Sequence, residues 1–90
     1  MLDLFRTSGF KSDFKKLTNE DRDRLKAILI RLIASKILED KYRNHPLIGN
    51  YKGCFECHLK PDLLLIYKID NDDNELQLVR IGSHSELFKK

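Results

Sequence analysis

An unbroken apolar run, Leu63-Leu64-Leu65-Ile66-Tyr67, restricts the fold of this chain more than any other feature of its sequence. We predict that the run forms the centre of a β-strand over residues 62–70. Because successive side chains of a strand point to opposite faces, a strand of this composition is apolar on both sides. Both faces of its sheet must therefore be covered, and a chain of 90 residues has only one small domain with which to cover them.

Two helices are predicted upstream of this strand. Phe10, Phe14 and Leu17 have the spacing of one helical face. They follow a break at Thr7-Ser8-Gly9, in which Ser8 is a candidate helix cap. This spacing predicts the first and shorter helix.

The second helix carries the stronger signal. Thr18-Asn19-Glu20-Asp21 resembles a capping box and places acidic residues near the positive end of the helix. An apolar stripe follows, made of Leu25, Ile28, Leu29 and Leu32. We expect this helix to extend to about Ile37 and to pack antiparallel to the first, so that the pair covers one face of the sheet.

The rest of the chain is predicted to consist of strands and connections. Strands are predicted over residues 2–6, 54–59, 62–70 and 75–81. Residues 38–50 are predicted to form a connecting loop that is extended at His45-Pro46. The segment 82–88 is either a tail or one helical turn, and this segment or a partner covers the second face. The predicted fold is a single α+β domain over residues 1–90 with the order β-α-α-β-β-β, a small, mostly antiparallel twisted sheet with a helix pair on one face.

The charge of the chain is uneven. The net charge is +3, with twelve Lys and Arg against seven Asp and Glu in residues 1–52, and five against seven afterwards. A basic half suits contact with phosphates or with an acidic partner. The N-terminus does not resemble a signal peptide, and no apolar run approaches the length of a membrane span. We therefore expect a cytoplasmic protein that does not bind membranes and whose two cysteines are reduced.

Cys54-Phe55-Glu56-Cys57-His58 matches the C-x-x-C-H pattern of c-type haem attachment. The expected cytoplasmic location and the single methionine, Met1, argue against haem. In a strand, Cys54 and Cys57 point to opposite faces, which argues against a disulfide or a redox pair. Zinc needs more ligands than Cys57 and His58 offer. We interpret both cysteines as structural thiols and expect neither a metal nor a cofactor.

The three histidines, His45, His58 and His84, all lie in the second half of the chain near predicted turns or strand ends. Asp62 begins the strand after His58, and Arg80 lies near the end of the last strand. These residue types suit RNA cleavage without a metal. One base removes the proton of the 2′-OH, one acid protonates the 5′-oxygen, and a cation offsets charge on the phosphate. Imidazole suits both proton roles, and arginine binds phosphate in bidentate geometry. The simpler alternative is an Asp62 that caps the hairpin turn and a His58 that bonds to it.

Several segments in a fixed order make the chain similar to a known family. They are His45-Pro46-Leu47, residues 49–53, Glu56-Cys57-His58, residues 60–67 and residues 78–88. The chain resembles the YafQ-type mRNA interferase toxins of the RelE/ParE superfamily. The predicted order of elements fits the RelE-like fold of that superfamily.

This resemblance implies the toxin component of a type II toxin–antitoxin system. Such a toxin is an endoribonuclease that cleaves mRNA in the ribosomal A site. The implied partners are mRNA, the ribosome and a cognate antitoxin encoded by the adjacent gene. We expect the toxin to be monomeric when free and to form a hetero-oligomer with its antitoxin.

The family's catalytic residues fall on His45, His58, Asp62, Arg80 and His84 of this sequence. The resemblance makes His84 the leading candidate for the general acid. His45, His58 or Asp62 then supplies or orients the base, and Arg80 stabilises the phosphate.

Phe88, Lys52 and Lys60 are the predicted substrate contacts. Phe88 corresponds to the family's C-terminal aromatic, which either stacks on a base or anchors the tail in the core. Many relatives carry an arginine where this chain has Phe55, which we expect to pack in the core. Lys52 and Lys60 are candidate substitutes for that missing cation.

Two other hypotheses remain open, of which the departure at Phe55 motivates the first. One is a RelE-like interaction module, catalytically weak or inactive, that binds an antitoxin or RNA without cleavage. The other is a stand-alone RNA-binding domain.

Overall fold

The computed structural model describes residues 1–88. Its helices and strands, in chain order, are β1 (Asp3–Arg6), α1 (Ser8–Phe14), α2 (Asn19–Ile33), β2 (His45–Pro46), β3 (Phe55–Lys60), β4 (Leu63–Asp70), β5 (Glu75–Gly82) and α3 (His84–Leu87). The strands form one sheet in the order β1-β5-β4-β3-β2. β1 and β5 are parallel, and every other neighbouring pair is antiparallel. The predicted α+β class and mostly antiparallel sheet are confirmed, with the short strand β2 added, and α3 is the helical turn that was one of the two forms predicted for residues 82–88.

β4 lies in the middle of the sheet and is buried on both faces, as its composition predicts. On one face, Leu63, Leu65 and Tyr67 belong to the larger core cluster. The helices contribute Phe10, Leu25, Ile28 and Leu32 to the same cluster. Full burial of such a side chain is worth roughly 1.5–3 kcal/mol, so this helix-covered layer dominates the stability of the fold. The predicted helix pair on one face is thereby confirmed.

The other face of β4 is covered by the C-terminal segment. Leu64 and Ile66 are fully buried there and pack with Leu87 of α3. Partly buried side chains surround this smaller cluster, namely Leu47, Tyr51, Cys54, Val79 and Phe88. This face was predicted to be covered by the segment 82–88 or by a partner. The segment covers it and forms a helical turn.

Both helices differ from the prediction at their ends. The cap of α1 is Thr7 rather than Ser8, because the Thr7 hydroxyl accepts a hydrogen bond from the backbone N–H of Phe10 at 3.0 Å. Leu17 lies beyond the end of α1, although it still packs against the core. The predicted cap of α2 is confirmed, because Thr18 accepts a hydrogen bond from the N–H of Asp21.

The prediction that α2 extends to about Ile37 is wrong. The helix ends at Ile33 because Ser35 adopts a left-handed backbone, with φ of 59°. The N–H groups of Ser35 and Lys36 then donate to the carbonyls of Leu32 and Arg31. These two bonds form a Schellman motif, which usually has glycine where this chain has Ser35, so the sequence gives little sign of it. Within residues 1–88, no helix combines the length and apolar character needed to cross a membrane.

The predicted loop over residues 38–50 contains regular structure. A 3-10 turn, Asp40–Tyr42, precedes β2, and a second, Gly49–Tyr51, follows it. β2 pairs with the start of β3, with His45 opposite Glu56 and Pro46 opposite Phe55. The extended conformation predicted at His45-Pro46 thus makes this segment the outermost strand of the sheet.

Asp21 connects α2 to the end of β3. Its carboxylate lies 3.0 Å from the guanidinium of Arg24 and 3.0 Å from the ammonium of Lys60. Burial of Asp21 raises its pKa, but the hydrogen bond and charge of Lys60, with those of Arg24, outweigh burial and hold the pKa below its ordinary value. The ionised form of Asp21 is therefore the one that stabilises the fold.

We predict that Asp21→Asn lowers the free energy of unfolding by about 1 kcal/mol at pH 7, the size of one or two modest ion pairs. Because the folded-state pKa is lowered, the wild-type advantage is complete above about pH 4, the ordinary value for aspartate, and disappears as the pH falls further. Urea unfolding from pH 3 to pH 7 measures this difference. Asp23→Asn is the matched control, since Asp23 is exposed on the same helix and forms no ion pair within residues 1–88. An equal loss in both variants would contradict the prediction.

Candidate active site

The register of the sheet aligns four residues across four neighbouring strands. His45 lies opposite Glu56, Glu56 opposite Ile66, and Ile66 opposite Arg80. Strands are spaced by about 4.8 Å, so the backbones of Glu56 and Arg80 are about 10 Å apart, with Ile66 between them. Since Ile66 belongs to the smaller cluster, this row lies on the face covered by α3.

The next row on the same face contains His58, Leu64 and Gly82. His58 follows Glu56 by two residues on β3 and therefore points to the same side of the sheet. Gly82 allows α3 to approach closely, because a Cβ atom at this position would lie 3.0 Å from Glu86 Oε1 and 3.4 Å from Leu87 Cδ2. The two rows together, which we call the platform, place polar side chains around the apolar side chains of Leu64 and Ile66.

Glu56 is the centre of the polar group on this platform. Its side chain is buried, and its Oε2 lies 2.6 Å from His45 Nε2 and 3.7 Å from His58 Nε2. Its Oε1 is also buried and has no hydrogen-bond partner within residues 1–88. A buried carboxylate is costly unless it is paired, and the close contact with His45 offsets part of that cost, while His58 lies farther from the same oxygen. Glu56 was not predicted as a site residue, although its position two residues before His58 was a usable signal.

Asp62 and His84 meet at the end of the platform. The carboxylate of Asp62, in the β3–β4 turn, accepts a hydrogen bond from the backbone N–H of His84 at 3.1 Å. Ser83 and Glu86 form a capping box at the start of α3, and the hydrogen bonds from Ser83 lower the pKa of Glu86. The ring centroid of His84 lies 4.9 Å from that of Phe88. The capped turn therefore fixes an exposed His84 beside the hairpin.

Arg80 is held by Asp13 of α1. The Nε and Nη2 of Arg80 donate to the Asp13 carboxylate at 2.6 and 3.1 Å, and the backbone N–H of Ile81 donates to the same carboxylate at 3.1 Å. The hydrogen bonds that Arg80 donates to Asp13 raise the pKa of Arg80, and Tyr51 contributes in the same direction. Arg80 is therefore a fixed cation. Asp13 was missed by the sequence analysis, which gave no sign that a buried carboxylate on α1 would face β5.

The predicted substrate contacts are less closely grouped. Phe88 is half-buried against the smaller cluster and meets the ring of Tyr51 edge-on, with 5.8 Å between centroids. Lys52 is exposed after the second 3-10 turn. Lys60 forms its ion pair with Asp21 of α2, which draws its ammonium towards the helix layer.

The structure corrects the expectation for Phe55. Its side chain faces away from Glu56 and His58, as alternation predicts, but it is 37% exposed rather than packed in the core. It stacks on Tyr67, with ring centroids 5.8 Å apart and planes 21° apart. Phe55 is the first residue of β3 and is paired with Pro46 of the outermost strand β2.

The two cysteines do not act together. Cys54 packs in the smaller cluster and Cys57 in the larger one, so they lie on opposite faces, as predicted. Burial, with the charge of Glu56, raises the pKa of the Cys57 thiol to about 12. Cys57 is therefore neither a nucleophile nor a metal ligand near neutral pH.

A different trio has the geometry of a metal site. One ligand atom each from His45, Glu56 and His58 lies within 4.8 Å of the others. Two imidazoles and a carboxylate are ligands that zinc and copper accept. Because Glu56 supplies the third ligand, the earlier count of ligands around Cys57 and His58 did not find this group.

Comparison with known proteins identifies relatives over nearly the whole chain. The family model described as "Bacterial toxin of type II toxin-antitoxin system, YafQ" matches residues 2–89. The mRNA interferase toxin YafQ of Escherichia coli strain B / BL21-DE3 is 34% identical over 89 residues, which cover 96% of this chain and 95% of the relative. Its counterpart in Escherichia coli strain K12 is 38% identical over 71 residues, covering 78% and 75%.

Solved structures are similar over the same length. A metal-bound toxin from Helicobacter pylori is 46% identical, with a TM-score of 0.90, and the match covers 98% of this chain and 100% of that toxin. A chain of the DinJ–YafQ complex of Escherichia coli is 32% identical, with a TM-score of 0.85 and coverage of 98% and 99%. The resemblance inferred from the sequence is thus confirmed: the chain belongs to the YafQ family of toxins of bacterial type II toxin–antitoxin systems.

Proposed function

We propose that this chain is a ribosome-dependent endoribonuclease that cleaves mRNA in the A site without a metal. The observation that carries the proposal is the platform on one face of the sheet, where His45 and His58 surround Glu56 while Arg80 emerges from the same row. His84 lies at the end of this platform. The curated relatives are mRNA interferases by name, which supports the enzyme class.

The proposed reaction is an internal transfer at phosphorus. A base removes the proton of the 2′-OH, the 2′-oxygen bonds to phosphorus, and the bond from phosphorus to the 5′-oxygen breaks. His84 protonates that leaving oxygen. His45 or His58, oriented by Glu56, takes the first proton, while Asp62 fixes the backbone of His84 rather than acting as the base. Arg80 has its Nη1 group outside the bonds to Asp13 and offsets the charge that builds on the phosphate.

Phe88 and Lys52 complete the proposed substrate contacts. Phe88 keeps part of its ring exposed beside His84, where it stacks on a nucleotide base. Lys52 is an exposed cation that attracts the phosphate backbone. Lys60 is a weaker candidate, because Asp21 already neutralises it.

The proposed partners are mRNA, the ribosome and a cognate antitoxin, and the proposed location is the cytoplasm. The YafQ chain of Escherichia coli has been solved in complex with DinJ. We expect this chain to be a monomer when free, acting as one domain over residues 1–90, and to form a hetero-oligomer with its antitoxin.

The second candidate function is an interaction module that binds antitoxin or RNA without cleavage. Phe55 favours it, because relatives with arginine there have a cation that this chain lacks. The buried Glu56 argues against it, since a carboxylate held between two imidazoles is costly to keep and serves no purpose in a simple binding surface.

We predict that expression without an antitoxin stops growth, and that His84→Ala or Arg80→Ala relieves the arrest. In a translating ribosome assay, kcat should fall about 10²–10⁴-fold for His84→Ala and about 10²–10³-fold for Arg80→Ala. Lys36→Ala, at an exposed position after α2, is the control and should remain toxic. Arrest by both alanine variants at wild-type strength, or no cleavage by the wild type at excess toxin, would reject the mechanism.

We also predict that Glu56→Gln lowers kcat about 10–100-fold, because the two imidazoles lose the charge that orients them. The variant keeps the size of the side chain, so the melting temperature should change little. Glu75→Gln, a half-exposed change on β5, serves as control. A Glu56→Gln variant with wild-type kcat would remove Glu56 from the mechanism.

A metal prediction follows from the trio His45, Glu56 and His58. A chelator selective for zinc and copper over magnesium should leave cleavage unchanged, since the proposed chemistry uses protein side chains without a metal. Added zinc or copper should inhibit, because an imidazole that binds a metal cannot accept a proton at the same nitrogen. Loss of cleavage on chelation, restored by zinc, would show that the metal-independent mechanism is wrong.

A further inference from the structure

A second polar cleft lies outside the candidate active site, at the outer edge of β3. β2 pairs with β3 only at Phe55 and Glu56, so within residues 1–88 no strand lies beside the rest of that edge. The 3-10 turn Asp40–Tyr42 contacts β3 there instead. The cleft between this turn, α2 and β3 has a volume of about 490 Å³, which is in the range of ligand-binding sites.

Positive charge is concentrated in this cleft. Its lining includes Arg24, Lys41, Arg43 and Lys60, and none of the acidic side chains described in residues 1–88 lines it. Asp21 neutralises part of the charge at the rim by pairing with Arg24 and Lys60. Lys41 and Arg43 are exposed and form no ion pair within the same residues, so they remain available to an anion.

The backbone of the turn fixes the position of Arg43. This residue has a left-handed conformation, with φ of 46°, which is uncommon for any residue except glycine. Its N–H donates to the carbonyl of Asp40 at 3.0 Å and closes the turn. Such conformations persist where the surrounding structure enforces them and are concentrated at binding sites. Arg43 is therefore presented by a defined turn rather than by a loose loop.

The cleft and the candidate active site border each other at His58, although the cleft lies on the side of α2 and the His58 side chain points to the platform. This residue lines the cleft, and its Nε2 lies 3.7 Å from Glu56 on the platform. We propose that the cleft binds the sugar-phosphate backbone of the mRNA segment next to the scissile phosphate, an inference that rests on the proposed function. A positively charged groove that follows the backbone is a common way to hold single-stranded RNA without reading its sequence. The bound segment is the one that continues from the nucleotide at His58.

The test is a thermodynamic double-mutant cycle in which one change is made in the protein and the other in the RNA. Ribosomes are programmed with an mRNA that carries a 2′-O-methyl group at the cleavage position, so that binding is measured without cleavage. The double variant Lys41→Glu/Arg43→Glu should bind these ribosomes about five- to tenfold more weakly than the wild type, as expected for two exposed phosphate contacts. The slope of log affinity against log salt should be shallower by about 1.4, since each phosphate on a single strand contributes about 0.7.

Neutral methylphosphonate linkages in the mRNA then identify the anion. Placed on the flank that occupies the cleft, they should weaken binding of the wild type by a similar factor and leave the double variant unchanged. The proposal is wrong if methylphosphonates, on either flank, weaken binding of the double variant by the same factor as they weaken binding of the wild type. The two changes would then be additive in free energy, which indicates independent sites. That result would assign the cleft to ribosomal RNA instead.

Two further outcomes also overturn the proposal. Lys11→Glu/Lys15→Glu changes the net charge equally on or just after α1, and an equal loss of affinity would indicate a general charge effect. A Lys41→Glu/Arg43→Glu variant that binds programmed ribosomes normally but loses its antitoxin would assign the cleft to a protein partner. Because binding is measured with uncleavable mRNA, failure of the proposed chemistry leaves these results interpretable.

Discussion

Burial of β4 on both faces is the constraint on which the rest of this structure depends. The helix pair covers one face and leaves the other to a short C-terminal turn. The same turn holds Leu87, which covers Leu64 and Ile66, and His84, the proposed acid. The short helix α3 therefore both covers the sheet and positions the proposed acid.

Two buried carboxylates organise the charged groups of the platform in different ways. Asp13 accepts three hydrogen bonds, two from Arg80 and one from the backbone of Ile81, so that α1 and β5 hold the guanidinium rigidly. Glu56 has one oxygen near two imidazoles and a second oxygen without a partner in residues 1–88. Asp13 therefore fixes the cation of Arg80, whereas Glu56 keeps an acceptor oxygen that is not hydrogen-bonded within residues 1–88.

The sequence was sufficient for features that depend on periodicity. The two-sided strand, the apolar stripe of α2 and its Thr18 cap are all encoded locally, and the structure confirms them. The end of α2 was misjudged because Ser35 adopts a conformation for which glycine is the usual sign. Local reasoning can place His58 and Glu56 on one face of a strand. It cannot bring Asp13 to Arg80, because that contact joins residues 67 apart and depends on how α1 packs over β5.

The parallel pairing of β1 with β5 also determines when the sheet can be completed during synthesis. Asp3 is opposite Glu75, so the first strand to be synthesised has no neighbour in the sheet until the last strand exists. Contacts across such a separation form slowly, because closing a long loop costs entropy before it is rewarded. A nascent chain that lacks β5 has neither Arg80 nor a partner for β1, and it lacks the turn with His84. The platform therefore cannot form until β5 and α3 have both been synthesised.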